Sequence, residues 1–190
     1  NIILGNGSNE VIEFVGHAFL DRGDNVLISE YAFIAYKLIA QLFAAQTIET
    51  PTKDFQPDLE AMLNAITPKT KIIFIANPNN PTGSLIGQKK IDNFLARMPD
   101  DVITVLDEAY FEFSKQTVVP LLAQHPNLVV LRTFSKAMAM AGLRIGYLLA
   151  APELVREVAK AVLPYNLNIV SQIAGEVAIE MYEAALLPLV

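Results

Sequence analysis

Thr133-Phe-Ser-Lys-Ala-Met-Ala-Met-Ala-Gly-Leu-Arg-Ile-Gly-Tyr147 is the stretch that decides the fold, because it places polar groups directly after the apolar run at residues 128–131. A short apolar run of this kind predicts a buried strand, and the residues after it otherwise read as buried too. Lys136 is unusual in such a segment, since an unpaired ammonium group is costly to remove from water. Lys136 is therefore the first candidate for a chemical role.

The neighbours of Lys136 are suited to binding an anion. Burial, or a nearby cation such as Arg144, lowers the pKa of a lysine, and its amine then becomes a nucleophile that can transfer protons or add to a carbonyl carbon. Thr133, Ser135 and Arg144 would be placed to hold an oxyanion, the arginine through its fork of donors. Taken alone, the stretch also fits a solvated Ser-Lys loop with no catalytic role.

Composition excludes several classes of function. The 190 residues fit one domain, and 53% of them are hydrophobic, which predicts a sheet covered on both faces or an apolar surface that meets a partner. A net charge of -6 with only 14 lysines and arginines argues against a nucleic-acid ligand. The chain has no cysteine, so we expect a cytoplasmic protein, and its two histidines are too far apart in sequence to predict a metal site.

No membrane or targeting segment is predicted. A charged residue or an asparagine interrupts every apolar stretch before it is long enough to cross a bilayer, and the start lacks the basic region of a secretory signal. The chain begins with Asn1-Ile-Ile-Leu, which reads as the inside of a folded unit, and it ends without a polar tail. We therefore expect residues 1–190 to be a fragment of a longer protein.

Strand and helix patterns alternate from one end of the chain to the other. Short apolar runs predict strands at residues 25–28, 46–50, 71–76, 101–106, 128–131 and 144–150. Amphipathic periods predict a first helix from Ser8 or Asn9 to Arg22, and a second that follows the aromatic segment at residues 29–36 and runs to about residue 45. Further helices are predicted at residues 57–65, 88–98, 152–163 and 169–186. This order predicts an α/β fold with a mostly parallel sheet, right-handed crossovers and helices on both faces.

The first predicted helix begins in the segment Gly5-Asn-Gly-Ser-Asn-Glu10. Its glycines allow a tight turn, and Ser8 or Asn9 is a suitable N-cap. Because the free amides at a helix start bind anions, Ser8 and Asn9 are candidates for a phosphate site. A capped helix with nothing bound is the alternative.

Aromatic residues and a proline-rich loop follow two of the predicted strands. Tyr31, Phe33 and Tyr36 come after the strand at 25–28, and such rings either stack on a planar ligand or pack in the core. The strand at 71–76 ends in Asn77-Pro-Asn-Asn-Pro-Thr-Gly83, where prolines and asparagine side chains predict a rigid loop, made either for a ligand or only for structure.

An acidic segment, Asp107-Glu-Ala-Tyr110, follows the strand at 101–106. An ionised acid at the end of a buried strand needs a partner, because it cannot remain there unpaired. Glu112 and Lys115, which come shortly afterwards, read as an exposed loop.

These features are expected to meet in space. Ligands of open α/β sheets bind outside the carboxyl ends of the strands. The aromatic cluster, the Asn/Pro loop, Asp107 and Lys136 each follow a different predicted strand. Four separate features therefore converge on one rim of the sheet.

The converging groups match pyridoxal 5'-phosphate. They supply an amine for an aldehyde, a carboxylate for a ring nitrogen, an asparagine and a tyrosine for a phenolate oxygen, hydroxyls with an arginine for a phosphate, and an aromatic ring for stacking. A nucleotide-binding module is the weaker alternative, because the chain has no Gly-x-x-x-x-Gly-Lys-Ser/Thr loop and no complete dinucleotide fingerprint. That alternative also leaves Asp107 and Lys136 unexplained.

The motifs Asn77-Pro-Asn-Asn-Pro-Thr-Gly83, Asp107-Glu-Ala-Tyr110 and Ser135-Lys136 with Ala141-Gly-Leu-Arg-Ile-Gly-Tyr147 resemble those of the fold-type I, class II aminotransferases, and among these the histidinol-phosphate aminotransferases. The resemblance covers essentially the whole chain. It implies that residues 1–190 are the three-layer, pyridoxal phosphate-binding large domain, and that the N-terminal arm and the small C-terminal domain are absent.

The resemblance also implies roles for individual residues. Lys136 would bind the cofactor covalently and move a proton at the substrate α-carbon, and Asp107 would pair with the protonated pyridine nitrogen. Asn80 and Tyr110 would donate to the ring oxygen. The phosphate would be held by Ser8, Asn9, Thr133, Ser135 and Arg144, and Phe33, rather than Tyr31, would stack on the ring.

The activity implied is amino transfer between histidinol phosphate and 2-oxoglutarate in histidine biosynthesis, by a homodimer that completes its site across the two-fold axis. A phosphothreonine-type decarboxylase, an aromatic aminotransferase, and an inactive cofactor-binding domain or fragment are the alternatives. Ala137-Met-Ala-Met140 departs from the family, which usually has an aromatic residue and a glycine there, so Ala139 is expected to be strained if the backbone needs a positive φ. We also expect a cis peptide bond at Asn80-Pro81.

Overall fold

Within residues 1–186 and 188, which the computed structural model describes, seven strands form one sheet in the order β1-β9-β8-β7-β6-β2-β3. Its strands are β1 Ile2–Asn6, β2 Asn25–Ser29, β3 Gln46–Thr50, β6 Thr70–Ala76, β7 Ile103–Asp107, β8 Leu128–Thr133 and β9 Ile145–Ala150, and a small hairpin consists of β4 Thr52–Lys53 and β5 Gln56–Pro57. The helices are α1 Ser8–Phe19, α2 Ala35–Leu42, α3 Leu59–Asn64, α4 Gln88–Leu95, α5 Phe111–Ser114, α6 Pro152–Ala159 and α7 Ile169–Glu180.

Five strands of the sheet are parallel, which confirms the predicted α/β architecture. Strands β3, β2, β6, β7 and β8 pair in parallel, whereas β9 runs antiparallel to both β8 and β1. Strand β1 was not predicted, because its five residues lie at a sheet edge and only alternate ones are buried. The β4-β5 hairpin was missed as well, since two residues on each side are too few to show a strand pattern.

Both faces of the sheet are covered, so the central strands are buried on each side. Val26 and Ile28 pack with residues of α1 and α2 in one core cluster, whereas Leu27 between them packs in the other cluster with residues of α4. Phe74 and Ile75 divide in the same way between the two layers. Successive side chains of a strand point to opposite faces, so continuous apolar runs are what this arrangement requires.

Several helices end earlier than their patterns predicted. Helix α1 ends at Phe19 instead of Arg22, because Leu20 adopts an extended conformation and starts the turn to Gly23. Helix α6 ends at Ala159, short of the predicted residue 163. Helix α7 ends at Glu180 and is followed by a wider π-helical turn at Tyr182–Leu186. In the described part of the chain, no helix has both the length and the apolar character needed to cross a membrane.

A buried ion pair lies just beyond the end of β7. Glu108 is 3% exposed, and its Oε2 accepts from Arg132 Nε and Nη2 at 3.1 and 2.9 Å. The same carboxylate accepts from Thr117 Oγ1 and from the backbone amide of Val118. The guanidinium of Arg132 also lies 3.7 Å from the centroid of the Phe111 ring, where a cation–π interaction stabilises it. These contacts fasten the segment after β7 to β8.

The expectation that Glu112 is exposed was wrong. Helix α5 turns this residue inward, where it is 6% exposed and its Oε2 has no hydrogen-bond partner among the described residues. Burial raises the pKa of Glu112, and the nearby charge of Arg132 opposes that rise. Lys115 follows as an exposed residue, as expected, with a left-handed backbone that ends the helix.

We predict that Arg132→Ala lowers the free energy of unfolding by about 3 kcal/mol, because the buried carboxylate of Glu108 would lose its cation. Urea denaturation measures the change. Arg156→Ala is the matched control, since Arg156 pairs with Glu153 on the exposed surface and its loss should leave the stability nearly unchanged. Equal, small losses in the two variants would contradict a stabilising role for the buried pair.

Candidate active site

One cavity of about 180 Å³ lies at the carboxyl ends of the parallel strands. The register pairs Ala76 with Asp107, and Asp107 with Leu131, so β6, β7 and β8 end at the same level. The cavity is lined by every site residue predicted from the sequence, namely Ser8, Asn9, Phe33, Asn80, Asp107, Tyr110, Thr133, Ser135, Lys136 and Arg144. Tyr36, Ala76, Pro78 and Ala109 complete its lining.

Asp107 is the last residue of β7 and supplies a buried carboxyl group to the cavity. Its Oδ2 accepts from the hydroxyl of Tyr36 at 2.8 Å, and its Oδ1 accepts from the backbone amide of Ala109 at 3.0 Å. Burial raises the pKa of Asp107, and these two hydrogen bonds together with the charge of Lys136 oppose the rise. A cation inside the cavity would therefore be bound strongly by this acid.

Tyr36 is a polar residue of the cavity lining that sequence reasoning did not select. Its ring is fully buried and stacks on Phe74, with centroids 4.6 Å apart and planes inclined by 3°. Desolvation and the neighbouring Asp107 raise the pKa of Tyr36 well above its ordinary value, so the hydroxyl stays a donor. The available signal was that a buried tyrosine needs a partner for its hydroxyl.

The choice of Phe33 over Tyr31 agrees with where the two rings lie. Phe33 lines the cavity and meets the ring of Tyr36 edge to face at 5.7 Å. Tyr31 has a positive φ and is half exposed, and its ring lies 5.7 Å from that of Phe55 in the β4-β5 hairpin. Only Phe33 of this pair can therefore contact a molecule in the cavity.

Hydroxyl groups and a guanidinium form the other end of the cavity. Thr133 Oγ1 donates to Ser135 Oγ at 3.0 Å and accepts from the Ser135 amide at 3.1 Å. Arg144 Nη1 lies 3.4 Å from Ser135 Oγ and donates to the Ala141 carbonyl at 3.0 Å. A guanidinium beside hydroxyl donors suits an oxyanion.

The start of helix α1 joins this cluster, but its cap differs from the prediction. Gly7 is the N-cap, with φ of 89° and no side-chain cap, so Ser8 and Asn9 are the first helical residues instead of caps. The predicted capping by Ser8 or Asn9 was wrong because only a glycine adopts this backbone readily. Both residues still line the cavity, where the positive end of the helix dipole favours an anion.

Lys136 lines the same cavity as Asp107, but it is exposed. The expectation that its segment is buried was therefore wrong for this side chain. The chain leaves the sheet after Thr133 and turns, with the Ala139 amide donating to the Lys136 carbonyl at 2.8 Å. Its Nζ lies 5.2 Å from the centroid of the Tyr110 ring, so the amine and the phenol share one side of the cavity.

Asparagine side chains brace the Asn/Pro loop with hydrogen bonds, as predicted. Asn77 Oδ1 accepts from the Ile86 amide at 2.7 Å, and Asn77 Nδ2 donates to the Ile86 carbonyl at 3.1 Å. Asn79 donates to the carbonyl of Tyr31 at 3.1 Å, which ties the loop to the aromatic segment. The peptide bond Asn80-Pro81 is cis, as predicted, and Asn77-Pro78 is cis as well, which was not predicted.

A larger cavity of about 680 Å³ lies elsewhere, between the β4-β5 hairpin and helices α3 and α4. Four of its charged residues form two ion pairs, Lys53 with Asp58 at 2.7 Å and Arg97 with Glu60. Asp58 also caps α3 by accepting from the amides of Glu60 and Ala61. The smaller cavity is therefore the candidate active site, since it combines an acid, an amine and an anion-binding end.

The comparisons with known proteins agree with this arrangement. A model of the family described as aminotransferase class I and II matches residues 1–187. The chain belongs to this family. Histidinol-phosphate aminotransferase 2 of Hydrogenovibrio crunogenus is 46% identical over 183 residues, which are 94% of this chain and 49% of that protein. The resemblance predicted from the motifs is confirmed, and the aminotransferase chain spans about half the length of the curated relatives it matches.

Solved structures have the same fold as this chain. The crystal structure of histidinol-phosphate aminotransferase from Sinorhizobium meliloti in complex with pyridoxal-5'-phosphate has a TM-score of 0.91 and 27% identity, and the match covers 96% of this chain and 51% of that one. L-threonine-O-3-phosphate decarboxylase from Porphyromonas gingivalis has a TM-score of 0.81 and 26% identity, over 95% of this chain and 54% of that one.

Gly146 lets β9 approach the start of α1, and we predict that Gly146→Ala lowers the free energy of unfolding by about 2 kcal/mol or more. An added Cβ would lie 2.2 Å from the Ser8 nitrogen and 2.4 Å from the Gly7 carbonyl carbon, so backbone would have to move. Urea denaturation measures the loss. Gly142→Ala is the control, because its Cβ would meet nothing within 4 Å. Similar stabilities of the two variants would contradict this close approach.

Ala139 has φ of 55°, so the strain expected at the departure from the family pattern is present. We predict that Ala139→Gly raises the free energy of unfolding by about 0.5 kcal/mol, because relief of a left-handed alanine exceeds the entropy that glycine adds to the unfolded chain. Ala137→Gly is the matched control, which should lower the stability, since Ala137 is not among the residues with positive φ. Thermal and urea denaturation measure the stability of both variants relative to the wild type. An Ala139→Gly variant less stable than the wild type would contradict the proposed strain at Ala139.

Proposed function

We propose that the chain is the cofactor-binding part of a pyridoxal phosphate-dependent aminotransferase that exchanges an amino group between histidinol phosphate and 2-oxoglutarate in histidine biosynthesis. The observation that carries this proposal is the meeting of Asp107, Lys136 and the Arg144 cluster in one cavity. The histidinol-phosphate aminotransferases among its most similar relatives support the choice of substrate. Because the chain spans about half of those relatives, the substrates belong to the whole protein.

The residues present fit pyridoxal phosphate at both ends. The buried Asp107 carboxyl, whose pKa burial raises, would gain most from a cation such as a protonated pyridine nitrogen. The start of α1 with the Arg144 cluster offers backbone amides, hydroxyls and a guanidinium, which suit a phosphate. Gly7 adds to the fit, since a Cβ there would lie 2.0 Å from Arg144 Nη2.

Each lining residue then has a role in holding the cofactor. Asp107 would pair with the ring nitrogen, Phe33 would stack on the ring, and Asn80 with Tyr110 would donate to the ring oxygen. The phosphate would be held by the first amides of α1 and by side chains beyond β8, which are those of Ser8, Asn9, Thr133, Ser135 and Arg144. When bound, pyridoxal phosphate supplies an aldehyde carbon and an electron-withdrawing ring.

Lys136 would supply the amine that bonds to the cofactor and the base that moves a proton. In its neutral form, Nζ would accept the proton from the substrate α-carbon and return it during the exchange of the amino group. The exposed position of Lys136 suits this role, because it leaves the amine accessible to a molecule that enters from solvent. The phenol of Tyr110, whose ring centroid is 5.2 Å from Nζ, would limit where the ammonium can lie.

We also propose that the whole protein acts as a homodimer in the cytoplasm. Helix α7 offers a surface for contact with a second copy of the chain, because Ile169, Ile173 and Val177 on it are each about half exposed or more. Apolar side chains at a spacing of four residues form a stripe, and such a stripe is usually covered by another surface. A second copy would cover it and complete the active site.

The other expected activities have less support. The phosphothreonine-type decarboxylase shares the fold at 26% identity, whereas the similar relatives at 46% identity are histidinol-phosphate aminotransferases. Two assays of the full-length protein distinguish these activities. Amino transfer from histidinol phosphate forms glutamate from 2-oxoglutarate, whereas a decarboxylase releases carbon dioxide from L-threonine-O-3-phosphate, which has the carboxyl group that histidinol phosphate lacks. An inactive cofactor-binding protein would bind pyridoxal phosphate and do neither.

We predict that Lys136→Ala in the full-length protein abolishes covalent attachment of pyridoxal phosphate and reduces amino transfer by at least about a thousand-fold. Borohydride reduction followed by intact-protein mass spectrometry measures attachment, and glutamate formation measures turnover. Lys160→Ala is the matched control, because Lys160 pairs with Glu157 on the surface of α6 and should change neither result. Normal turnover by Lys136→Ala would refute the proposed function.

A further inference from the structure

The hydroxyl of Tyr36 contacts the acid of the candidate active site. Tyr36 lies on α2, and its Oη donates to Asp107 Oδ2 at 2.8 Å in a fully buried hydrogen bond. The ring has little freedom to move, because Phe74 stacks on one side at 4.6 Å and Phe33 meets it edge-on at 5.7 Å. The position of the hydroxyl is therefore set by packing before any ligand binds.

The Asp107 carboxylate is supported by neutral donors. Each of its oxygens accepts one hydrogen bond, from the Tyr36 hydroxyl and from the Ala109 amide. Within the part of the chain that the structure describes, no cationic side chain lies within 4.0 Å of this carboxylate. Hydrogen bonds to a carboxylate favour its charged form, so these two donors stabilise the ionised carboxylate of Asp107.

We propose that Tyr36 is a positioning residue for Asp107: its hydroxyl keeps the carboxylate ionised and directed into the cavity, so that it is ready to pair with a protonated heterocyclic nitrogen. This inference rests on the proposed function. It adds a residue whose hydroxyl acts on the cofactor through Asp107, since that hydroxyl is already engaged by the carboxylate.

The groups around Asp107 determine the direction in which loss of the Tyr36 hydroxyl shifts the pKa of this acid. Burial raises the pKa of Asp107, and the Tyr36 hydrogen bond opposes this rise most strongly. Glu108, next in the chain, raises the pKa further, while Lys136 from the loop after β8 lowers it. Tyr110 and Arg144 also line the cavity. Loss of the Tyr36 hydroxyl therefore raises the pKa of Asp107, and a larger fraction of the acid is neutral at a given pH.

The test is Tyr36→Phe in the full-length protein, which removes the hydroxyl and retains the packed ring. We expect its Kd for pyridoxal phosphate, titrated into the cofactor-free protein, to rise about ten-fold at neutral pH. As pH falls, affinity should be lost at a higher pH than in the wild type, because Asp107 is protonated earlier. Fluorescence titration across a pH series measures both changes.

A second measurement does not use the cofactor. Carbon-13 NMR of the aspartate carboxyl groups follows the titration of Asp107 in the cofactor-free protein, with Asp107→Asn to assign its resonance. We expect the Asp107 midpoint to move to higher pH in Tyr36→Phe. This readout separates a change in the charge of Asp107 from a general loosening of the structure.

Thr104→Val is the matched control. Thr104 is a fully buried residue of β7, three positions before Asp107, and its hydroxyl has no hydrogen-bond partner among the described residues. Its removal should leave the cofactor Kd and the Asp107 titration as in the wild type. An Asp107 midpoint and Kd in Tyr36→Phe equal to those of Thr104→Val would overturn the inference.

The outcomes distinguish this inference from the proposed function. Wild-type protein that binds no pyridoxal phosphate would refute the proposed function, and the inference with it. If the wild-type protein binds the cofactor, and Tyr36→Phe has the same cofactor Kd and the same Asp107 titration midpoint as the wild type, the inference alone is refuted. Weaker binding by Tyr36→Phe without any shift of the Asp107 midpoint would also overturn it, because the effect would not pass through the charge of the acid.

Discussion

The position of the Asp107 carboxyl group at the end of a buried strand is the constraint on which the rest of the site depends. A carboxylate taken out of water must be compensated, and this chain compensates it with a phenol from α2 and a backbone amide beyond β7. The packing of Tyr36 on Phe74 ties the compensation to the core of the sheet. The chemistry of the cavity is therefore set by the same contacts that hold helix α2 on the sheet.

The parallel sheet explains why distant segments meet at this acid. In parallel strands the carboxyl ends face one direction, so the segments after β2, β6, β7 and β8 emerge at one rim. Because β9 runs antiparallel to β8, it begins at that rim, so Arg144 just before it lies there. Gly146, near the start of β9, lies against the start of α1. The anion-binding end thus combines a reversed strand with a helix start, whereas the acid and the amine come from the parallel part.

Much of this could be predicted from the sequence, because polar residues after apolar runs are a strong local signal. The parallel sheet, the rigid Asn/Pro loop and the lining of the cavity followed from that signal together with the resemblance. What could not be predicted depended on tertiary contacts. The sequence does not distinguish Tyr36 from other core aromatic residues, because its role depends on the hydrogen bond to Asp107. Glu112 was expected to be exposed because it is charged, although α5 turns it inward. Strand β1 forms only by pairing with β9, which is distant in sequence.

The adjacent residues Asp107 and Glu108 serve opposite sides of one strand end. The first contributes its carboxyl group to the cavity, and the second accepts hydrogen bonds from Arg132, Thr117 and Val118. A displacement of this strand end cannot alter one carboxyl group without moving the other. Natural variation at the two positions should consequently be coupled, and a screen for heat resistance and a screen for cofactor retention would recover overlapping sets of substitutions.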